Sequence, residues 1–256
     1  MRIGGGLRDA KAVAPPEECG ASSRPALVSL KMQKRTIAAR THGRYLIRTP
    51  RVDGPWPLLV GFHGYRENAA LHLDLLQSIP GTESWLVVAV QGLHRFYAKG
   101  SDVVASWMTS EDRELAIADN IEYVSNTVDA VRAEFPTRAT LVFAGFSQGT
   151  AMAFRAAAHL RADALIVLGA DVPPDVATRT SVLLPAVLYG RGRLDVLYTA
   201  EFHVRDVATL ERLGVTVESM TFDGGHEWTP EFSSAAGRIV AALSALTSHE
   251  DTESRR

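Results

Sequence analysis

The sequence is poor in the features that mark many protein classes. One cysteine, Cys19, stands among 256 residues, which excludes an internal disulfide framework and any metal site built on cysteines. Cys19 follows Pro16-Glu17-Glu18, not the small apolar residues that precede a lipid-modified cysteine. No apolar run approaches the roughly 18 residues that cross a bilayer, so no membrane span is expected. The N-terminus lacks the continuous apolar stretch of a secretory signal, and a cytoplasmic location is the default expectation. Charge of one sign is lacking too. Lys and Arg number 27 against 29 Asp and Glu, spread along the chain. No basic stripe suits nucleic acid and no polybasic segment suits a membrane surface. The expected partner is a small molecule, met by a monomer or homodimer.

What is present reads as one α/β domain. Residues 1–35 are glycine-rich and then mixed in Pro, Glu, Ser and Ala without period, which predicts a disordered tail. Met32 stands just before the first patterned segment and offers a second start. A single domain is expected over 36–247, with a frayed tail over 248–256. No internal repeat occurs.

Within the domain, strand-like and helix-like segments alternate. Arg44–Ile47, ending near Pro50, suits an early edge strand, antiparallel to its neighbour. Leu58–Phe62 and Leu86–Val90 are short apolar runs with β-branched content, as in strands buried on both faces. Glu111–Glu134 carries Leu115, Ala118, Ile121, Val124, Val128 and Val131 at helical spacing and stops before Pro136. Strands follow at Thr140–Ala144, Ala164–Leu168, Pro185–Tyr189 and Val215–Phe222. Helices are expected at Gln148–Leu160, Thr199–Leu213 and Glu231–Leu246. This alternation predicts a mostly parallel sheet with helices on both faces.

Against that frame one pattern carries chemistry. Gly145-Phe146-Ser147-Gln148-Gly149 matches G-x-S-x-G, with a strand before it and a helix after it. A serine in such a sharp turn stands exposed above the sheet edge, and the flanking glycines avoid Cβ clashes. The following helix aims its first amides at the reacting centre. The partners of such a serine come later, acid then histidine, each after a strand. His226 sits in Asp223-Gly224-Gly225-His226-Glu227-Trp228, directly after Val215–Phe222, and an imidazole suits a base near neutral pH. Asp195 is the only carboxylate in Gly190-Arg191-Gly192-Arg193-Leu194-Asp195 and is favoured as the acid. Its rivals are Asp171, one strand early, and Asp223 and Glu227, too near His226 in the loop. The expected oxyanion donors are the backbone N–H of Gln148 and that of Tyr65, in His63-Gly64-Tyr65-Arg66 after Leu58–Phe62. His63 is read as a prop for that loop rather than a second base.

These four segments resemble the phospholipase/carboxylesterase branch of the α/β-hydrolases, which includes small bacterial esterases and acyl-protein thioesterases. The resemblance covers roughly Thr41–Leu246, and Gly-Phe-Ser-Gln-Gly is especially like this branch. It implies an α/β-hydrolase fold and an acyl-enzyme on Ser147, with no metal or organic cofactor. A serine at 147 separates the chain from the related dienelactone hydrolases, which use cysteine. The short connection after Ala164–Leu168 leaves no room for a large cap, which favours small or short-chain esters. Trp107, in the aromatic-rich connection Gln91–Ser110, and Trp228 are candidate substrate-binding residues. Trp107 reads equally well as packing and Trp228 as a loop anchor. A thioesterase or peptidase would carry the same triad, and a non-catalytic binding module of the same fold is the rival from another class.

Overall fold

The computed structural model describes residues 32–179 and 183–253. The chain divides into two units, Met1–Arg40 and Thr41–Arg256. Of the first, the described residues 32–40 are exposed and hold no helix or strand; residues 1–31, where most of the tail is expected, lie outside the described residues.

The second unit is built on a seven-stranded sheet. In chain order its strands are β1 (Arg44–Arg48), β2 (Trp56–Phe62), β3 (Leu86–Gln91), β6 (Thr137–Phe146), β7 (Ala164–Leu168), β8 (Ala186–Gly192) and β9 (Val217–Phe222). They lie in the order β1-β3-β2-β6-β7-β8-β9, and only β1 runs antiparallel to its neighbour. The apolar runs become the central strands because both of their faces are covered. Leu58, Val60 and Phe62 of β2 face one core while Leu59 faces the other, and β6 splits in the same way. Full burial of each such side chain stabilises the fold by roughly 1.5–3 kcal/mol.

Helices cover both faces. The first core takes α2 (Arg113–Glu134), α3 (Gln148–His159) and α5 (Ala200–Arg212); the second takes α1 (Ala69–Gln77) and α6 (Pro230–Glu253). The last helix runs past the end expected near Leu246, so the tail expected from Ser248 begins as helix. Residues 254–256 lie outside the described residues.

Two connections hold elements that the sequence reading did not assign. The connection Gln91–Ser110 is not loop throughout: β4 (His94–Tyr97) and β5 (Val103–Ser106) pair as an antiparallel hairpin. Between β7 and β8 the described residues hold only a short helix, α4 (Pro174–Ala177). That helix is tied down by Arg155 of α3. Its guanidinium is fully buried and reaches Asp175 through two bonds, at 2.8 and 2.9 Å. No large cap covers the sheet edge among the described residues. No described helix is long and apolar enough to cross a membrane.

The sheet order sets where a site can form. From β2 the chain passes through α1 to β3 on one side, and then returns through α2 to β6 on the other. Such a reversal opens a crevice at the carboxyl ends of the two strands, where ligands bind in open α/β sheets.

Candidate active site

Ser147 ends β6 and begins α3 in that crevice. Its backbone has φ 52° and ψ −124°, a left-handed conformation that costs a non-glycine residue strain. Close packing holds it there. A Cβ at Gly149 would collide with the Phe62 carbonyl of β2, so α3 can approach that strand only without a side chain. Ser147 N–H also donates to the Leu168 carbonyl at 2.8 Å, which pins the turn to β7.

The structure brings Ser147, His226 and Asp195 together. Ser147 Oγ lies 2.8 Å from His226 Nε2, and His226 Nδ1 lies 2.8 Å from Asp195 Oδ2. A carboxylate only accepts, so Nδ1 carries the proton and Nε2 is free to receive the serine's. Asp195 is 5% exposed; its other oxygen accepts the N–H groups of Leu197 and Tyr198 at 2.8 and 2.9 Å. The carboxylate is thus fixed from both ends. The imidazole packs against Phe146, with ring centres 5.1 Å apart, and beside Gly169, where a Cβ would come within 3.1 Å of the ring. The rival carboxylates are used elsewhere: Asp223 pairs with Arg193 at the surface, and Glu227 accepts the Gly225 N–H.

Opposite this line lies the turn after β2. The N–H groups of Tyr65 and Gln148 have no partner among the described residues. Gly64 brings the turn against the serine, since a Cβ there would stand 3.2 Å from that of Ser147. The neighbouring backbone is firmly held. Arg66 N–H donates to the Ala105 carbonyl and Ala105 N–H to that of Glu67, clamping the turn to β5. His63 works from beneath: its Nε2 accepts the Gly92 N–H at 2.9 Å and its Nδ1 donates to the Gly64 carbonyl at 2.7 Å. Burial lowers the pKa of His63 to about 4, which keeps this ring neutral and its two bonds intact.

Glu67, Asn120 and the side-chain bonds of Gln148 in this half escaped the sequence reading. Glu67 Oε2 accepts the Gly64 N–H at 2.8 Å, and burial raises its pKa while that bond and the charge of His226 oppose the rise. The Gln148 side chain accepts Trp107 N–H at 2.9 Å and Ser106 Oγ–H at 3.2 Å, and donates to the Met108 carbonyl at 3.0 Å. Asn120, buried in α2, donates to the Trp107 carbonyl at 2.7 Å. A polar residue inside an apolar helical stripe, as Asn120 is, was the available signal.

The two tryptophans divide. Trp107 has no exposed surface, and its indole donates to the His63 carbonyl at 2.8 Å while its ring packs on His63 and Phe62. It presents nothing to a ligand in this structure, and the packing alternative describes it. Trp228 is half-buried, donates to Ser233 Oγ at 2.9 Å and meets Phe232 edge-on, which anchors the His226 loop to α6.

Known proteins share this architecture. No protein-family model matches the sequence, and no curated protein matches it. Among solved structures, esterase PE8 aligns over 79% of this chain and 99% of its own, at 21% identity and TM-score 0.62. The Bacillus cereus carboxylesterase aligns over 78% and 94%, at 18% identity and TM-score 0.59. Acyl-protein thioesterase 2 of Zea mays aligns over 80% and 99%, at 18% identity and TM-score 0.56.

Proposed function

We propose that this chain, whose α/β-hydrolase fold is shared with carboxylesterases and acyl-protein thioesterases, is a serine hydrolase of small or short-chain carboxylic esters. One observation carries the reading: an unbroken hydrogen-bonded line from Ser147 through His226 to Asp195, starting at a serine held at φ 52°.

In the proposed reaction His226 Nε2 takes the Ser147 proton as Oγ attacks the ester carbonyl. Asp195 holds the imidazole's tautomer and stabilises the imidazolium that forms. The N–H groups of Tyr65 and Gln148 receive the carbonyl oxygen as it becomes an oxyanion; one such donor is worth about 10²–10³ in rate. The imidazolium returns its proton to the leaving alkoxide, which departs as alcohol and leaves an acyl-enzyme. Water, deprotonated by His226, then attacks the acyl carbon, and Ser147 leaves with the proton restored. The open sheet edge favours compact substrates.

A thioesterase is the second reading. It is favoured by exposed apolar side chains beside Asp195, with Leu194 73%, Val196 83% and Leu197 69% exposed. These offer a surface for a longer acyl chain.

The test is labelling by a fluorophosphonate in wild type, Ser147→Ala and His226→Ala, beside hydrolysis of p-nitrophenyl esters of increasing chain length, acyl-CoA thioesters and aminoacyl amides. The expected outcome is labelling in wild type alone and fastest turnover of short esters. Hydrolysis that survives Ser147→Ala would overturn the nucleophile, and a preference for amides would overturn the esterase reading.

A further inference from the structure

A second cavity opens on the same sheet edge, at the ends of β1 and β3. Its volume is about 340 Å³, and it is lined by Arg44, Arg95, Gln91, Asn68, Ala69 and Ala70, among others. None of its lining residues is acidic. Arg44 and Arg95 are exposed cations without a carboxylate partner among the described residues; Arg95 gives one donor to the His42 carbonyl at 2.9 Å.

The amino end of α1 forms one wall. Asn68 caps it by accepting the Leu71 N–H at 3.0 Å, and Gln91 Oε1 accepts the Ala69 N–H at 2.7 Å. Ala70 N–H is left with no partner among the described residues. A helix end of this kind carries partial positive charge. The second observation is independent of the helix. Gln91 is 5% exposed, and the Ala69 bond fixes which end of its amide is oxygen. The other end, Nε2, is a buried donor with no partner. Leaving such a donor unsatisfied costs roughly 1–3 kcal/mol, so its persistence calls for an acceptor.

We infer that this cavity is a binding site for the carboxylate or phosphate group of a small molecule, held by Gln91 Nε2, Ala70 N–H and the guanidinium groups of Arg44 and Arg95. Gln91 Nε2 and Ala70 N–H are unmatched by an acceptor there, and every formal charge of the lining is positive. The strand order puts the cavity two to three strand spacings from Ser147, about 10–14 Å along the edge. That span suits the far end of an acid-bearing ester; a free anion is the other source of the same chemistry.

Inorganic phosphate is titrated into wild type and Ser147→Ala by calorimetry, and into Gln91→Glu, Arg44→Gln and Arg95→Gln. Gln91→Glu keeps the acceptor for Ala69 while removing the donor and adding charge. The Arg44 and Arg95 substitutions are at exposed positions, which guards against simple misfolding. Binding is expected in wild type and Ser147→Ala alike, weakened at least about tenfold in Gln91→Glu and about three- to tenfold in each arginine variant. Absent binding in wild type, or equal affinity in all variants, would overturn the site. This arm uses no catalysis, so its failure differs from failure of the hydrolase reading. A kinetic arm names the source: phosphate that competes with a p-nitrophenyl hemisuccinate but not with p-nitrophenyl acetate supports a substrate's acid group, and indifference to both supports a free anion.

Discussion

The two sides of Ser147 are built on opposite plans. On the side of β8 and β9, the proposed reacting parts are side chains: His226 and Asp195 project from strand ends and meet through their own functional atoms. On the side of β2 and the β4–β5 hairpin, the proposed working groups are backbone amides, and Gln148, Glu67, His63 and Trp107 hold that backbone in place. The difference teaches where substitutions should act. On the first side, changing an atom changes chemistry; on the second, it changes position.

The largest expected effect tests the first side. Asp195→Asn keeps an oxygen for the Leu197 and Tyr198 amides but loses the tautomer control of His226. Turnover of p-nitrophenyl acetate should fall about 10³–10⁴-fold with the melting temperature nearly unchanged. A loss below tenfold would put the acid elsewhere. Next comes Gln148→Ala, which leaves its backbone N–H but removes three side-chain bonds. It should lower kcat about 10–100-fold with little change in KM, and lower stability by about 1–3 kcal/mol in urea. Loss of stability without loss of kcat would break the claim that these side chains aim the amide. Glu67→Gln retains an acceptor for Gly64, so a smaller drop in kcat, a few-fold, is expected; a full loss would make Glu67 a reacting group instead.

The remaining expectation concerns acid stability rather than turnover. Burial lowers the pKa of His72 to about 3 and of His63 and His203 to about 4, from 6.5. Between pH 6.5 and those values the unfolded chain binds more protons than the folded one. Stability is therefore complete above pH 6.5 and declines as pH falls, by up to about 1.4 kcal/mol per pH unit for each ring. Neither nitrogen of His72 has a partner among the described residues, so His72→Leu should flatten this slope at little cost at pH 7. Urea unfolding at pH 7, 5.5 and 4.5 reads it; an unchanged slope would refute the contribution of His72.

The same contrast explains what the sequence made legible. The meeting of Ser147, Asp195 and His226 could be expected because each follows a recognisable strand and each residue type carries its own chemistry. The parallel sheet followed from apolar runs that admit no exposed face. The hairpin of β4 and β5 was missed because His94-Arg95-Phe96-Tyr97 is short and mixed, although Gly100, at φ 72°, marks its turn. Helix α1 went unread because Ala69–Gln77 is apolar on most sides and shows no clean period. Arg155 looks like a surface charge on an alanine-rich helix until Asp175, twenty residues later, is known to face it. Contacts across the fold decide these cases, and no local pattern encodes them.

The contact of Gly149 with the Phe62 carbonyl has a bearing on engineering. It joins the elbow to β2 with no side chain between, so the height of the serine above the sheet is set by two main chains. Redesign of specificity has freedom in the rim residues Leu194, Val196, Leu197 and Tyr65, all exposed. It has none at 149, where even a methyl group would lift the helix and carry Ser147 away from the turn after β2. Transplanting the elbow into another sheet therefore means transplanting its neighbouring strand as well.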